Sequence, residues 1–348
     1  MPQEWLKSFP ALATGMCVIA MAIPAGAYAR EGSHSTARHA AAAPAETELR
    51  LSPVQGNVYF LSGADVNVTV QIGTDGVLLV DTPASALLPQ TIAAIRKISP
   101  EPIRYVITTA LDRERTAGDE SVAAMGEPLP GTQFFNSGAG LVVAGGGNGG
   151  VTVLAHENVL SRLTAMGTRA WPGALVTSEY FTPSKDFFMN QEAIIVYHTP
   201  AAHTDGDSLV FFRRSDVLST GDLFTPGQYP RIDVDRGGSV QGLLTALNRI
   251  LEIAVPGAYQ ERGTYVIPGR GRLCDEADVV EYRDMVKIVS DRIQNSLEQG
   301  ESLQQILASR PTEDYDTEYL FEQGGPTAEE FVKAVYRSLK GKPAGGAL

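Results

Sequence analysis

The order of the apolar segments constrains the fold of this chain more than any other sequence feature. Three β-branched runs, at 57–63, 66–73 and 76–82, follow one another, and the turn residues TDG at 74–76 are a hairpin signal between the last two. From residue 87 onward, helix-like and strand-like segments alternate. A succession of hairpin strands followed by alternating elements, found twice along the chain, is typical of two sheets that pack face to face with helices outside. The sequence therefore predicts an α/β fold with two facing sheets.

The alternating part divides into segments by apolar spacing and by turn residues. The helical spacing that begins at residue 87 ends before Pro100, because proline cannot continue a helix. The further predicted helices are 117–125, 157–167, 238–254 and 275–299, and the further predicted strands are 103–109, 151–155, 192–200, 207–214, 215–222 and 263–269.

Polar residues follow several of these predicted strands. Asp81 and Asp222 close their strands, and His203 and Arg270 come shortly after theirs. Each of these residues alone has an ordinary explanation, since aspartate is common in turns and helix caps. Strand ends meet at one edge of a sheet, however, and α/β proteins place their binding sites there. The pattern therefore predicts one functional edge that contains all four residues.

Residues 1–29 have the pattern of a secretory signal peptide. Lys7 precedes an apolar run at 9–23, and the small-residue sequence AYA at 27–29 is a cleavage signal. The run is too short to predict a membrane anchor. We expect export to the periplasm or the medium, with no membrane attachment after cleavage. Cleavage would remove Cys17 and leave Cys274, so neither an internal disulfide nor a cysteine metal cluster is expected.

The rest of the chain divides by composition into three parts. Residues 30–50 are polar and alanine-rich, which predicts a flexible lead-in to a folded domain at 51–295. Residues 296–348 contain amphipathic segments, which we expect to form a helical extension that packs on the domain or on a second subunit of a homo-oligomer. The net charge of −12 and the lack of basic runs argue against a nucleic-acid partner.

Several motifs, in this order, resemble those of the metallo-β-lactamase superfamily over about residues 54–282. They are GVLLVDT (76–82), YVITT (105–109), PAAHTDGDS (200–208), LSTGDLF (218–224) and VIPGRG (266–271). The resemblance implies a four-layer αββα sandwich with a metal site at the loop-bearing edges of its sheets. The glycine-rich stretch 127–150 departs from the family, and we expect it to be a surface loop near the cleft.

The resemblance also implies which residues would hold metal. A first ion would be bound at positions 110, 112 and 203, and a second at positions 114, 115 and 270, with residue 222 beside both and Asp81 supporting the loop. The family has histidine at five of these positions and aspartate at positions 114 and 222. This sequence keeps His203 and Asp222, and departs from the family at Ala110, Asp112, Glu114, Arg115 and Arg270.

These departures predict that the metal has been lost. Arginine stays protonated and has no lone pair to donate, so Arg115 and Arg270 would exclude a cation from the second position. Carboxylates left without a cation in a cleft need a counter-charge. We therefore expect the two guanidiniums to pair with Asp112, Glu114 and Asp222. Zinc, manganese or iron is expected only if the site remains active, and it would then be held by Asp112, Glu114, His203 and Asp222.

Three functions remain open from the sequence. The first, which the sequence favours, is a metal-free pseudoenzyme that binds a small molecule or a partner in the former cleft. The second is an atypical metal-dependent hydrolase of the ester, thioester, lactone or β-lactam type with a carboxylate-rich site. The third is metal-independent acid–base chemistry by His203 with Asp222. No G-x-S-x-G motif is present, so the sequence does not support serine catalysis.

Overall fold

Two β-sheets form the centre of the computed structural model, which describes residues 49–63, 66–127, 150–167, 170–320 and 324–341. The first sheet has its strands in sequence order: β1 (Arg50–Gln55), β2 (Val58–Ser62), β3 (Val68–Gly73), β4 (Gly76–Val80), β5 (Ile103–Ile107), β6 (Thr152–His156) and β7 (Ser178–Tyr180). Its first four strands are antiparallel neighbours, whereas β4 to β7 are parallel.

The second sheet has five strands in the reverse of sequence order. They are β12 (Tyr265–Ile267), β11 (Val217–Ser219), β10 (Asp207–Phe212), β9 (Glu192–Thr199) and β8 (Ser184–Met189). Strands β8 to β11 are antiparallel neighbours, and β12 lies parallel to β11.

The two sheets face each other across an apolar core. Leu78, Ile107 and Leu154 from the first sheet pack with Val196 and Val210 from the second, and all five are fully buried. Alternate residues of the same strands point to opposite faces of a sheet. Each sheet therefore also has an outer apolar face that helices must cover.

Helices cover both outer faces. On the first sheet, α1 (Leu88–Arg96) and α3 (Asp119–Met125) pack on the strands. On the second sheet, α5 (Val240–Ile253) and α6 (Glu276–Glu298) do the same. The other helices are α2 (Arg113–Thr116), α4 (Glu157–Met166), α7 (Leu303–Ala308), α8 (Asp316–Tyr319) and α9 (Ala328–Lys340). The layer order αββα confirms the predicted fold class.

The sequence prediction missed three strands, all at or next to sheet edges. β1 contains Pro53 and alternates weakly, β7 has only three residues, and β8 begins with charged and polar residues. Edge strands need no continuous apolar run, because one side of their backbone and much of their surface stay open. The predicted strand at 215–222 is shorter than expected, since Asp216 adopts the left-handed turn conformation with φ 51° and the strand begins after it.

The predicted domain limits differ from the elements at both ends. β1 begins at Arg50, within the predicted lead-in, and the predicted boundary at residues 295 and 296 falls inside α6. The apolar side of α6 continues through Ile293 to Leu297, so the helix has no reason to end earlier. Phe331 of α9 lies in the same apolar cluster as α5 and α6. The described C-terminal helices thus share a core with the second sheet.

Two predicted features lie outside the described residues. They are the signal peptide with most of the lead-in, at 1–48, and most of the glycine-rich stretch, at 128–149. Among the described helices, none has both the length and the apolar character needed to cross a membrane.

The shared core predicts that the C-terminal helices contribute strongly to stability. Phe331 is fully buried and stacks on Tyr229 with ring centroids 5.1 Å apart. Phe331→Ala should lower the free energy of unfolding by about 3–5 kcal/mol, because it leaves a cavity in that cluster. The matched control is Phe188→Ala, since Phe188 is 71% exposed and its loss should change the free energy by less than about 0.5 kcal/mol. Equal urea-unfolding curves for the two variants would contradict the shared core.

Candidate functional site

The candidate site lies at the strand edge that the sequence predicted. Asp81 follows β4, and its carboxylate accepts hydrogen bonds from the backbone N–H of Thr109, at 2.8 Å, and from the Thr109 hydroxyl, in the segment after β5. The Ser208 N–H of the second sheet donates to the Thr109 carbonyl at 2.8 Å. These bonds join the ends of strands from both sheets and hold the loop at 110–116 in place.

Arg115 is the central side chain of this edge, and it is fully buried. Its Nε and Nη2 donate to the two carboxylate oxygens of Asp222, the former at 2.6 Å, and its Nη1 donates to Asp81 Oδ2 at 2.8 Å. A forked pair of this kind is among the strongest ionic hydrogen-bond arrangements. Burial opposes ionisation of Asp222, but the guanidinium outweighs it and holds the pKa of this carboxyl well below its usual range.

Glycines make the room that this guanidinium needs. A Cβ at Gly269 would collide with Arg115 Nη2, so only glycine fits at that position. Gly221 has φ 54°, a left-handed conformation that favours glycine, and a Cβ there would meet the Thr109 hydroxyl. The TGD and PGR motifs therefore serve the placement of Arg115 and Asp222.

A second group forms beside Arg115. Asp112, His203 and Asp222 each bring one potential ligand atom to within 4.8 Å of the other two. The Nε2 of His203 lies 3.5 Å from Asp112 Oδ2, and both atoms are buried without a hydrogen-bond partner. The other ring nitrogen of His203, Nδ1, lies 3.2 Å from the Asp207 carboxylate, which fixes the orientation of the ring. Burial lowers the pKa of His203, but the carboxylates of Asp207 and Asp112 outweigh burial and raise it to about 9.

Arg236 completes this group, and the sequence analysis missed it. Its Nη2 donates to Asp112 Oδ1 at 2.9 Å, its Nε donates to Asp233 Oδ2 at 2.7 Å, and its Nη1 donates to the Leu111 carbonyl. Arg236 also lies over the ring of Trp171, with its Cζ 5.7 Å from the ring centroid. One carboxylate oxygen of Asp112 is therefore bound to Arg236, and the other faces His203. Arg236 lies in the segment DVDRGG (233–238) but is not itself a motif residue, so only the fold reveals its role.

Arg270 and Glu114 pair with each other at the edge of the site. Arg270 Nη2 donates to Glu114 Oε2, and the Glu114 side chain is 47% exposed. Glu114 is absent from the converging group of Asp112, His203 and Asp222. The predicted site residues thus divide into a buried set and this more exposed pair.

A two-metal site does not fit these residues. Ala110 offers no donor atom at the first position, and both oxygens of Asp222 already accept from Arg115 at the second. A guanidinium carries a fixed positive charge and cannot ligate a cation. Asp112, His203 and Asp222 are the three residues of the described chain that come close enough to share one ion.

His156 and His198 lie outside this group and have structural roles. Their rings stack with centroids 3.5 Å apart and an angle of 8° between the planes. His156 caps α4, because its Nδ1 accepts from the Asn158 N–H, and His198 Nε2 lies 2.9 Å from the Asp205 carbonyl. Burial, and then the neighbouring His198, lower the pKa of His156 to about 4.

The stacked histidines predict a loss of stability in mild acid. The pKa of His156 is lowered in the folded state, so the unfolded chain binds more protons between about pH 6.5 and about pH 4, and stability falls as the pH drops through that window. His156→Asn keeps a capping side chain and removes the titration. Its melting temperature should therefore fall less between about pH 7.5 and about pH 5 than that of the parent protein. An equal fall in both proteins would contradict the stated pKa shift.

Arg236 and Arg270 should differ in how much they contribute to stability. Arg236→Ala leaves the buried Asp112 carboxylate, whose side chain is 9% exposed, without its partner, which should cost about 3 kcal/mol or more. Arg270→Ala breaks a pair with Glu114, whose side chain is half exposed, and should cost less than Arg236→Ala. Thermal or urea unfolding of both variants measures the difference. A larger loss in Arg270→Ala would mean that the exposed pair, and not Arg236, supports the site.

Several solved structures are similar to this fold. The stereoselective inverting sec-alkylsulfatase Pisa1 from Pseudomonas sp. matches over 83% of this chain and 50% of its own, at 16% identity and a TM-score of 0.58. The DIM-1 metallo-β-lactamase matches over 69% of this chain and 97% of its own, at 16% identity and a TM-score of 0.50.

A metallo-β-lactamase from Pontibacter korlensis matches over 69% of this chain and 99% of its own, at 15% identity and a TM-score of 0.50. The chain spans about half the length of the alkylsulfatase. No family model matches the sequence, and no curated protein matches it. Identities at this level speak for the fold alone, and they agree with the αββα layers and the strand-edge motifs described above. The protein has the metallo-β-lactamase fold.

Proposed function

We propose that this protein is a metal-free pseudoenzyme of the metallo-β-lactamase fold, which acts by binding a small molecule at the former metal edge. The observation that carries the proposal is the Arg115 guanidinium, which occupies both oxygens of Asp222 and reaches Asp81. A divalent ion at this position would have to displace a buried cation that already satisfies the same carboxylates. Breaking such a buried pair is costly.

The charges of the edge support a site that is stable without metal. Arg115 faces Asp81 and Asp222, and Arg236 faces Asp112, so each carboxylate of the buried set has a guanidinium partner. The raised pKa of His203 supplies a further positive charge between Asp112 and Asp207 near neutral pH. Internal cations thus provide the counter-charge that a metal would otherwise supply.

A second candidate is a hydrolase with one metal ion, and a specific observation favours it. Asp112 Oδ2 and His203 Nε2 are buried without partners and face each other 3.5 Å apart, with Asp222 close by. These residues would hold the ion, which would supply an acidified water for hydrolysis of an ester, thioester, lactone or β-lactam. Arg236 and Asp207 would orient Asp112 and His203 from behind.

Metal-independent acid–base chemistry has less support. Asp222 is bonded through both oxygens to Arg115, which lowers its pKa and its ability to accept a proton. His203 is fully buried, so a substrate would need the site to open before it reached the ring. A general base must come within hydrogen-bond distance of its substrate.

Metal content separates the first two candidates. Protein purified without chelator should carry far less than one equivalent of zinc, manganese or iron by elemental analysis, and calorimetric titration with each ion should show no binding that depends on Asp112. The matched variants are Asp112→Asn, within the converging group, and Glu114→Gln, outside it. About one tightly held ion per chain that Asp112→Asn loses and Glu114→Gln keeps, with both variants folded, would replace the proposal by the one-metal hydrolase.

The proposals for localisation and assembly rest on the sequence alone. We propose export to the periplasm or the medium on the basis of residues 1–29, and a small-molecule ligand rather than nucleic acid on the basis of the acidic charge. A homo-oligomer remains part of this proposal through the amphipathic C-terminal segments.

A further inference from the structure

We infer that Asp81 and Asp222 together form a guanidinium-binding site and that Arg115 is its built-in ligand. This deepens the proposed function and depends on it in one respect, namely that no metal competes for Asp222. Arg115 and Arg270 are given equal roles by the sequence motifs, but the structure places Arg115 between the carboxylates of Asp81 and Asp222 and pairs Arg270 with Glu114.

The donor geometry fits a guanidinium and no simpler cation. Asp222 receives two parallel bonds from Nε and Nη2, while Asp81 receives one from Nη1, so three nitrogens of one planar group are used. An ammonium group has a single nitrogen and cannot span two carboxylates in this way. The planar fork is thus the feature that the two carboxylates recognise.

Asp81 is held in place by a group other than Arg115. Asp81 Oδ1 accepts from the Thr109 N–H, and both of its oxygens accept from the Thr109 hydroxyl. Asp81 itself adopts φ 62°, a left-handed conformation that is uncommon for residues other than glycine. An unusual backbone conformation at a buried carboxylate indicates that the surroundings dictate its position. The Asp81 carboxylate should therefore keep its position when the Arg115 side chain is removed.

The surroundings also leave space of the right shape. The Arg115 side chain is 1% exposed, and the absence of a Cβ at Gly269 admits its Nη2. Truncation to alanine would remove Cγ, Cδ and the guanidinium, which together correspond to ethylguanidinium. A small alkylguanidinium should bind in the resulting cavity, since it restores both the charge and the hydrogen bonds.

The test is rescue of Arg115→Ala by ethylguanidinium, measured by thermal unfolding. Arg115→Ala should be clearly less stable than the parent protein, and ethylguanidinium chloride at about 10 mM should raise its melting temperature, because a ligand that binds only the folded state stabilises it. Ethylammonium chloride and sodium chloride at the same concentration should not. The parent protein, in which Arg115 fills the site, should not respond to any of the three salts.

Two further variants keep the inference testable if Arg115→Ala does not fold alone. Refolding yield with and without ethylguanidinium then replaces the melting temperature, and Arg115→Lys should fold with a stability between those of Arg115→Ala and the parent. Adding Asp222→Asn to Arg115→Ala should abolish the rescue, because it removes the forked acceptor.

Three results would overturn the inference: no response to ethylguanidinium, an equal response to ethylammonium, or an Arg115→Lys variant as stable as the parent. None of these concerns metal in the parent protein. Failure of the guanidinium site is therefore distinguishable from failure of the proposed function, which the metal content of the parent protein decides.

Discussion

The pair of buried carboxylates around Arg115 is the constraint on which the rest of the edge depends. Asp81 and Asp222 come from the ends of strands in different sheets, and the guanidinium between them joins these sheets at their open side. Without a cation, two carboxylates at this depth would repel each other and lose hydration. A positive charge between the two carboxylates offsets this cost, and Arg115 supplies one that cannot dissociate.

The fold could be predicted from the sequence because its strongest signals are local. The apolar runs in β2 to β6 and in β9 and β10 are long and are separated by turn residues, and the helical spacing of α1, α5 and α6 is regular. Strands β1, β7 and β8 were not predicted, because they are short or polar. They lie at sheet edges, where pairing with the neighbouring strand rather than apolar content decides the structure.

The site was predictable only where a motif marked it. Asp81, His203 and Asp222 stand in recognisable strand-end motifs, and the structure brings each of them to the same edge. Arg236 is not a motif residue and contacts Asp112, which lies 124 positions earlier in the chain, so no local pattern could assign it. The sequence also predicted the same role for Arg115 and Arg270. Their difference arises from burial, since Arg115 has carboxylates on both sides inside the protein while Arg270 meets a half-exposed glutamate.

A guanidinium and a metal ion differ in the chemistry that they can supply at this edge. A metal ion offers an open coordination position that polarises water, whereas a guanidinium offers only N–H donors, and in Arg115 each of the three nitrogens donates to a carboxylate. Beside Arg115, the Oδ2 of Asp112 and the Nε2 of His203 are buried without a hydrogen-bond partner. A ligand recognised at this edge would have to satisfy these two atoms, because an unpaired buried polar group is costly.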